Sequence, residues 1–269
     1  MRPPARRRPG LKRVLPALLL LALGVALGFG YATLRRPALV PLQDAMVTGV
    51  AMNEVSVRYL DEAGGFIDIG PADAAADTLL ILYPGGLVRP QAYTWLGVAL
   101  APLGVRTLIP RFALDLAVTA PGRASALLDI LAQDGVSFER VVLGGHSLGG
   151  AMAARYAFRN PGRIDALVLM GAYSAEGDDL SATGLPVLVL AAERDGRATL
   201  AAVTAGLGRL PPGAELEVVA GAVHSFFGRY GPQAGDGLPA VSRDVAERLI
   251  REALARFVPR HPPDGLDAR

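Results

Sequence analysis

Residues 141–151 read Val-Val-Leu-Gly-Gly-His-Ser-Leu-Gly-Gly-Ala, a short apolar strand that enters Gly-x-Ser-x-Gly and continues as a helical pattern. A chain that turns this sharply from strand to helix holds its central residue in a strained backbone conformation. Only glycines two residues before and after it, here Gly145 and Gly149, let the two elements pass without Cβ overlap. The turn therefore presents the Ser147 hydroxyl at the top of a sheet, where a nucleophile is useful. With 32 Gly and 8 Ser in 269 residues, chance supplies roughly 0.1 such matches, so the surrounding chain has to carry the rest.

Outward from this turn, apolar runs alternate with helical patterns. The strands expected are Val55–Leu60, Phe66–Ile69, Thr78–Leu82, Val105–Ile109, Arg140–Leu143, Ala166–Met170, Pro186–Leu190 and Leu216–Val219. The later ones are continuous apolar runs, as strands buried on both faces must be. Helices are expected near Pro90–Ala101, Gly122–Gln133, Leu148–Phe158, Ala198–Leu207 and Ala240–Phe257. In the last, Val241, Val245, Leu249, Leu254 and Phe257 form an apolar stripe, with Arg243, Glu247, Arg251 and Glu252 largely outside it. This alternation predicts an α/β architecture, a mainly parallel eight-stranded sheet with helices on both faces. About 15 residues separate the sixth and seventh strands, too few for a lid domain. Residues 55–258 form the expected domain, 35–54 a linker into it, and 259–269 a Pro-rich flexible tail.

The hydrophobic fraction, 51%, exceeds what such a domain needs, and the excess lies at the N-terminus. Val14 to Leu34 are 21 consecutive uncharged, mostly apolar residues, which as a helix span about 30 Å, the thickness of a bilayer core. The basic segment 1–13 holds Arg2, Arg6, Arg7, Arg8, Lys12 and Arg13, whereas only Arg35 and Arg36 follow the apolar run. The positive-inside bias then puts the N-terminus in the cytoplasm and the domain outside it. Residues 14–34 read as a transmembrane helix or uncleaved signal anchor. A cleaved signal peptide, which would make the protein secreted, is the alternative. A buried core helix is disfavoured, because the unbroken leucines leave no solvent face.

The formal net charge of +2 hides an uneven distribution. Residues 1–36 carry 8 basic and no acidic residues, which leaves residues 37–269 at a net charge of −6. Nucleic acid is thereby disfavoured as a partner. The absence of cysteine excludes disulfides, thiolate nucleophiles and cysteine-based metal sites.

A serine hydroxyl needs a base to take its proton, and near neutral pH that base is usually histidine. Of three histidines, His146 adjoins Ser147 but should be turned away from it, and His261 lies in the tail. His224 follows the last strand, on a loop that can overhang the top of the sheet. The base needs a carboxylate to fix its tautomer. Asp195, just past the carboxyl end of the seventh strand, is the candidate, with Glu193, Asp178 and Asp179 as competitors. Acyl transfer also needs N–H donors for the developing oxyanion. Leu148 supplies one at the helix start. Tyr83-Pro84-Gly85-Gly86-Leu87, after the third strand, supplies a second from Gly86 or Leu87.

With these residues in order, the chain resembles the α/β-hydrolase superfamily over roughly residues 50–258. The matching segments are Tyr-Pro-Gly-Gly (83–86), Gly-Gly-His-Ser-Leu-Gly-Gly (144–150), Glu-Arg-Asp-Gly (193–196) and Gly-Ala-Val-His-Ser-Phe-Phe-Gly (221–228). It looks most similar to compact, lidless members of the dienelactone-hydrolase or small-esterase kind. The resemblance implies Ser147 as nucleophile, Asp195 as acid, His224 as base, and an oxyanion hole from Leu148 and the Gly86 region. It departs from many members in having Pro84 where a histidine commonly precedes the oxyanion glycines. The expected activity is that of a serine hydrolase cleaving an ester or related acyl bond of a small molecule, with no metal or organic cofactor. A non-catalytic binding protein on the same fold and an acyltransferase using the same triad are the alternatives. Substrate identity and oligomeric state are not legible.

Overall fold

The structure, a computed structural model, describes residues 11–39, 50 and 52–262. The chain divides into two units at Arg36. The first contains helix α1, Leu11–Arg35. Its Val14–Tyr31 stretch has a mean hydropathy of 2.2 and none of it is buried, so it is long and apolar enough to cross a membrane, a property that a signal sequence shares. Residues 1–10 of the expected basic segment, residues 40–49 and 51 of the expected linker, and residues 263–269 of the expected tail lie outside the described residues.

The second unit is built on an eight-stranded sheet with spatial order β1-β2-β4-β3-β5-β6-β7-β8. The strands are β1 Val55–Leu60, β2 Phe66–Pro71, β3 Thr78–Tyr83, β4 Val105–Pro110, β5 Arg140–His146, β6 Ala166–Met170, β7 Val187–Ala192 and β8 Glu215–Val219. All eight expected strands are present. β2 pairs antiparallel with β1 and β4, and every other neighbouring pair is parallel. In an open sheet of this kind, side chains that meet a ligand gather at the carboxyl ends of the parallel strands.

The period-2 alternation of side chains splits each central strand between two dry layers. Leu80 and Leu82 of β3 join Val142, Val168, Met170, Leu188 and Leu190 on one face. Leu79, Ile81 and Tyr83 join Leu143, Leu167, Leu169 and Val189 on the other. Helix α2 (Thr94–Leu100) and helix α6 (Arg243–Phe257) cover the first face through Trp95, Leu96, Ile250 and Leu254. Helices α3 (Arg123–Gln133), α4 (Leu148–Arg159) and α5 (Leu200–Gly206) cover the second through Leu127, Met152, Ala153 and Val203.

Three helices differ from expectation. The Pro90–Ala101 stretch is a 3-10 turn, Pro90–Tyr93, followed by α2. The break falls at Tyr93, whose φ of −110° and ψ of 0° leave the helical basin. Helices α5 and α6 start later than Ala198 and Ala240, because Thr199 and Ser242 are N-caps whose hydroxyls accept the N–H groups of Ala202 and Val245. The buried face of α6 is also rotated from the expected stripe. Ala246, Ile250, Ala253 and Leu254 are buried while Val241 and Leu249 are only partly so. Glu247, expected outside the stripe, is buried too, because Arg229 reaches it with a two-pronged hydrogen bond at 2.9 and 2.7 Å.

Beyond the sheet, the chain around Tyr230 is held from two sides. Leu39 forms an antiparallel bridge with Tyr230, and the Gly231 N–H donates to the Ala38 carbonyl at 3.0 Å. At the other end of the domain, the Arg260 N–H donates to Thr78 Oγ1 at 3.2 Å, at the start of β3.

Candidate active site

Ser147 sits between β5 and α4 with φ 54° and ψ −123°, in the positive-φ half of backbone space that residues with a Cβ avoid. Its N–H donates to the Met170 carbonyl at 3.0 Å, continuing the β5–β6 ladder, and its carbonyl accepts from Ala151 as α4 begins. The flanking glycines are sterically obligatory. A Cβ at Gly145 would overlap the Gly149 carbonyl, and one at Gly149 would overlap the carbonyl oxygens of Tyr83 and Pro84. The strain at Ser147 is thus maintained by main chain on both sides.

His224 opens a 3-10 turn, His224–Phe227, after β8. Its Nδ1 lies 2.7 Å from Asp195 Oδ2, with both side chains buried. The other oxygen of Asp195 accepts the N–H groups of Arg197 and Ala198, each at 2.7 Å. A neutral His224 that donates from Nδ1 keeps Nε2 as an acceptor. That Nε2 is buried and has no hydrogen-bond partner among the described residues. Ser147 and His224 line one cavity of about 220 Å3 with Leu148, Ala151, Gly171, Ala172, Tyr173, Arg197 and Ala198. Ser147 and His224 face one space without a hydrogen bond between their side chains, a spacing common before substrate enters.

The competing carboxylates are committed elsewhere. Asp178 is buried and takes the Arg155 Nε at 2.9 Å. Asp179 is exposed and accepts from the Ser181 N–H, which lowers its pKa. Glu193 accepts the Gly221 N–H at 2.6 Å. His261 is exposed. A larger cavity of about 570 Å3, around Arg58, Asp68 and Arg106, contains no histidine.

The loop after β3 distinguishes Gly86 from Leu87. The Leu87 N–H donates to the Asp115 carbonyl at 2.8 Å, and the Gly85 N–H donates to Tyr93 Oη at 2.9 Å. The Gly86 N–H has no such partner among the described residues. A Cβ on Gly86 would meet Leu148 Cδ2 at 3.1 Å, so the two candidate oxyanion donors belong to segments in contact.

Several supporting residues carry no motif in the sequence. Asp236 accepts the main-chain N–H groups of His224 and Ser225 at 2.9 and 2.8 Å. Gly171, at φ 50°, leaves room for Asp195 and His224, since a Cβ there would sit 3.1 Å from Asp195 Oδ2 and 3.2 Å from His224 Nδ1. Arg243, at the start of α6, donates to the carbonyls of Ser225, Gly228 and Tyr230. Its guanidinium lies 4.6 Å from the centre of the Phe226 ring, and burial lowers its pKa. Glycine and proline spacing could have suggested only the first of these loops. The other contacts join residues with no short-range pattern between them. No cluster of three or more His, Cys, Asp or Glu side chains that could hold a metal ion occurs among the described residues.

A family model described as "Alpha/beta hydrolase family" matches residues 79–247, a span that runs from β3 into α6 and includes all the residues named at the site. No curated protein matches the chain.

Proposed function

The chain belongs to the alpha/beta hydrolase family, and from that premise we propose that it is a serine hydrolase that cleaves a small ester through an acyl-enzyme on Ser147. The observation that carries this reading is the buried, unpartnered Nε2 of His224, in a ring whose Nδ1 is tied to Asp195 and which lines the same cavity as Ser147.

In the proposed cycle, Ser147 Oγ attacks the acyl carbon and its proton passes to His224 Nε2. Asp195 holds the Nδ1–H and offsets the imidazolium charge. The N–H groups of Leu148 and Gly86 receive the oxyanion, each worth about 3–4 kcal/mol of barrier in comparable sites. Collapse expels the alcohol, which takes the proton from Nε2. Water then attacks the acyl carbon, again losing its proton to Nε2, and Ser147 leaves with that proton as the acid is released. A cavity of about 220 Å3 walled by Ala151, Gly171, Ala172 and Ala198 lies below the range of about 300–1,000 Å3 usual for drug-sized ligands. It therefore favours a short acyl group.

Residues 14–34 are assigned as a membrane anchor with the domain outside the cytoplasm, on the strength of the basic residues before the helix and its apolar, unburied surface.

The test is labelling of the full-length protein in detergent by a fluorophosphonate, beside Ser147→Ala and His224→Ala. Labelling of the wild type that both substitutions remove is the expected result. An unlabelled, folded wild type would favour a binding protein on the same fold, and product analysis with added alcohols would distinguish an acyltransferase.

A further inference from the structure

A second histidine lies directly behind the base and takes no part in those proton transfers. His146 is fully buried, and its ring centre is 4.4 Å from that of His224, with the planes at 45°. Its Nδ1 is 2.8 Å from Tyr93 Oη, the same hydroxyl that receives the Gly85 N–H. Burial raises the Tyr93 pKa well above its ordinary value, so the phenol stays neutral. A neutral hydroxyl that already accepts from Gly85 has one proton to give, and His146 Nδ1 is the acceptor at hand. On that assignment the chain runs from Gly85 N–H to Tyr93 Oη and from Tyr93 O–H to His146 Nδ1, and the ring proton of His146 sits on Nε2, which is buried with no hydrogen-bond partner among the described residues. Burial first, and then the neighbouring His224 ring, push the His146 pKa well below its usual value. His146 is accordingly a neutral imidazole, which does not repel the cation that forms on His224 during attack.

The same chain reaches the oxyanion side. The Gly85 N–H is held by Tyr93, and the Gly85 carbonyl accepts the Val88 N–H at 3.1 Å. The peptide between Gly85 and Gly86 is thus pinned on both sides, and that peptide carries the Gly86 N–H. Glycine is required at position 85, because a Cβ there would sit 2.8 Å from His146 Nδ1 and 2.9 Å from Tyr93 Oη.

We infer that Tyr93 and His146 are a pair of positioning residues that aim the second oxyanion donor and back the ring of the base, linking the two halves of the catalytic centre through one buried hydrogen-bond chain. This assignment rests on the serine-hydrolase reading. Neither residue touches the reacting atoms. Their effect is preorganisation: a donor already aimed at the developing charge costs no reorganisation during reaction.

The experiment compares full-length wild type, Tyr93→Phe, His146→Leu and His146→Asn in detergent, on 4-nitrophenyl acetate, with Ser147→Ala alongside. Tyr93→Phe deletes one oxygen and His146→Leu removes the acceptor. Each is expected to lower kcat about 10- to 100-fold with KM within about twofold. His146→Asn keeps an oxygen near the Nδ1 position and should lose about tenfold less than His146→Leu. A residue that merely fills space would show no such recovery. Nitrogen-15 spectra of the three imidazoles should show wild-type His146 as a single tautomer with Nδ1 unprotonated, and that signature should be lost in Tyr93→Phe. An active wild type with Tyr93→Phe at wild-type kcat, or a His146 protonated at Nδ1, would overturn the inference while leaving the hydrolase reading intact. Hydrolysis that survives Ser147→Ala would instead overturn the reading itself. Should Tyr93→Phe not fold, the wild-type spectrum and the two His146 variants decide the matter.

Discussion

Asp195 and Asp236 grip the same histidine from opposite ends: Asp195 bonds the His224 ring at Nδ1, 2.7 Å away, and Asp236 accepts the His224 main-chain N–H at 2.9 Å. In the proposed cycle the first carboxylate sets the tautomer, while the second holds the main chain where the residue starts. Asp195→Asn should therefore lower kcat by about 10⁴ with little change in folding. Asp236→Asn, which keeps one acceptor oxygen, should cost about tenfold or less in kcat, with a larger share of its effect in thermal stability. Steady-state kinetics and melting curves on both variants check this. Equal losses of kcat would contradict the division of roles.

The backbone at Ser147 (φ 54°) suits glycine and penalises any residue with a Cβ. Ser147→Gly and Ser147→Ala should both abolish fluorophosphonate labelling, but the glycine variant should be the more stable by about 1 kcal/mol, because it releases strain that alanine retains. Thermal unfolding of the two inactive proteins, side by side, gives the answer.

Arg229 and Glu247 are both buried and bond through two prongs. Replacing Glu247 alone with Leu removes the carboxylate that faces a buried guanidinium and should cost about 3–5 kcal/mol, whereas Arg229→Met with Glu247→Leu should restore most of that loss. Denaturant unfolding of the single and double variants measures the coupling.

His146 adds a pH dependence to stability. Among the groups facing it are His224, Tyr93 and Tyr230, with the Arg197 charge also acting on it. Its folded pKa is depressed below 6.5, so on acidification the unfolded chain takes up the proton first. The stabilisation is complete above about pH 6.5 and is lost as the pH falls below that value, by up to about 1.4 kcal/mol per pH unit. His146→Asn should flatten the slope of unfolding free energy against pH between 6.5 and 5. An unchanged slope would show that this histidine is not its source.

The N-terminal helix makes its own prediction. Full-length protein should stay with the membrane fraction after an alkaline wash, and a chain that starts at residue 37 should be found in the supernatant and still be labelled at Ser147. Recovery of the full-length gene product as a shortened soluble species would identify the cleaved form.

How far the sequence reveals this molecule follows from how local each signal is. The central strands are legible because strands buried on both faces must be apolar at every position, and Leu79–Leu82 or Val187–Leu190 cannot hide that. Helix starts were less so, since Thr199 and Ser242 act only through the geometry of their caps. The face of α6 was misread at Glu247 because its partner Arg229 lies eighteen residues away. The Ser147 turn, Asp195 and His224 stand at strand ends, where periodicity points. The choice between Gly86 and Leu87 depended instead on the Asp115 carbonyl, in a separate loop. Asp236, Arg243 and Tyr93 act across the fold, and no spacing connects them to the residues they hold.

The sheet also partitions how this chain can change over time. Leu80 and Leu82 share one sealed layer with α2 and α6, while Leu79 and Ile81 share the other with α3, α4 and α5. A methylene lost on one side cannot be refilled from the other through a wall of paired backbone. Compensating substitutions should therefore arise within a layer and show strong epistasis there, while changes on opposite sides accumulate independently. A lineage carrying this fold has two separate packing problems to solve, and the same strands belong to both.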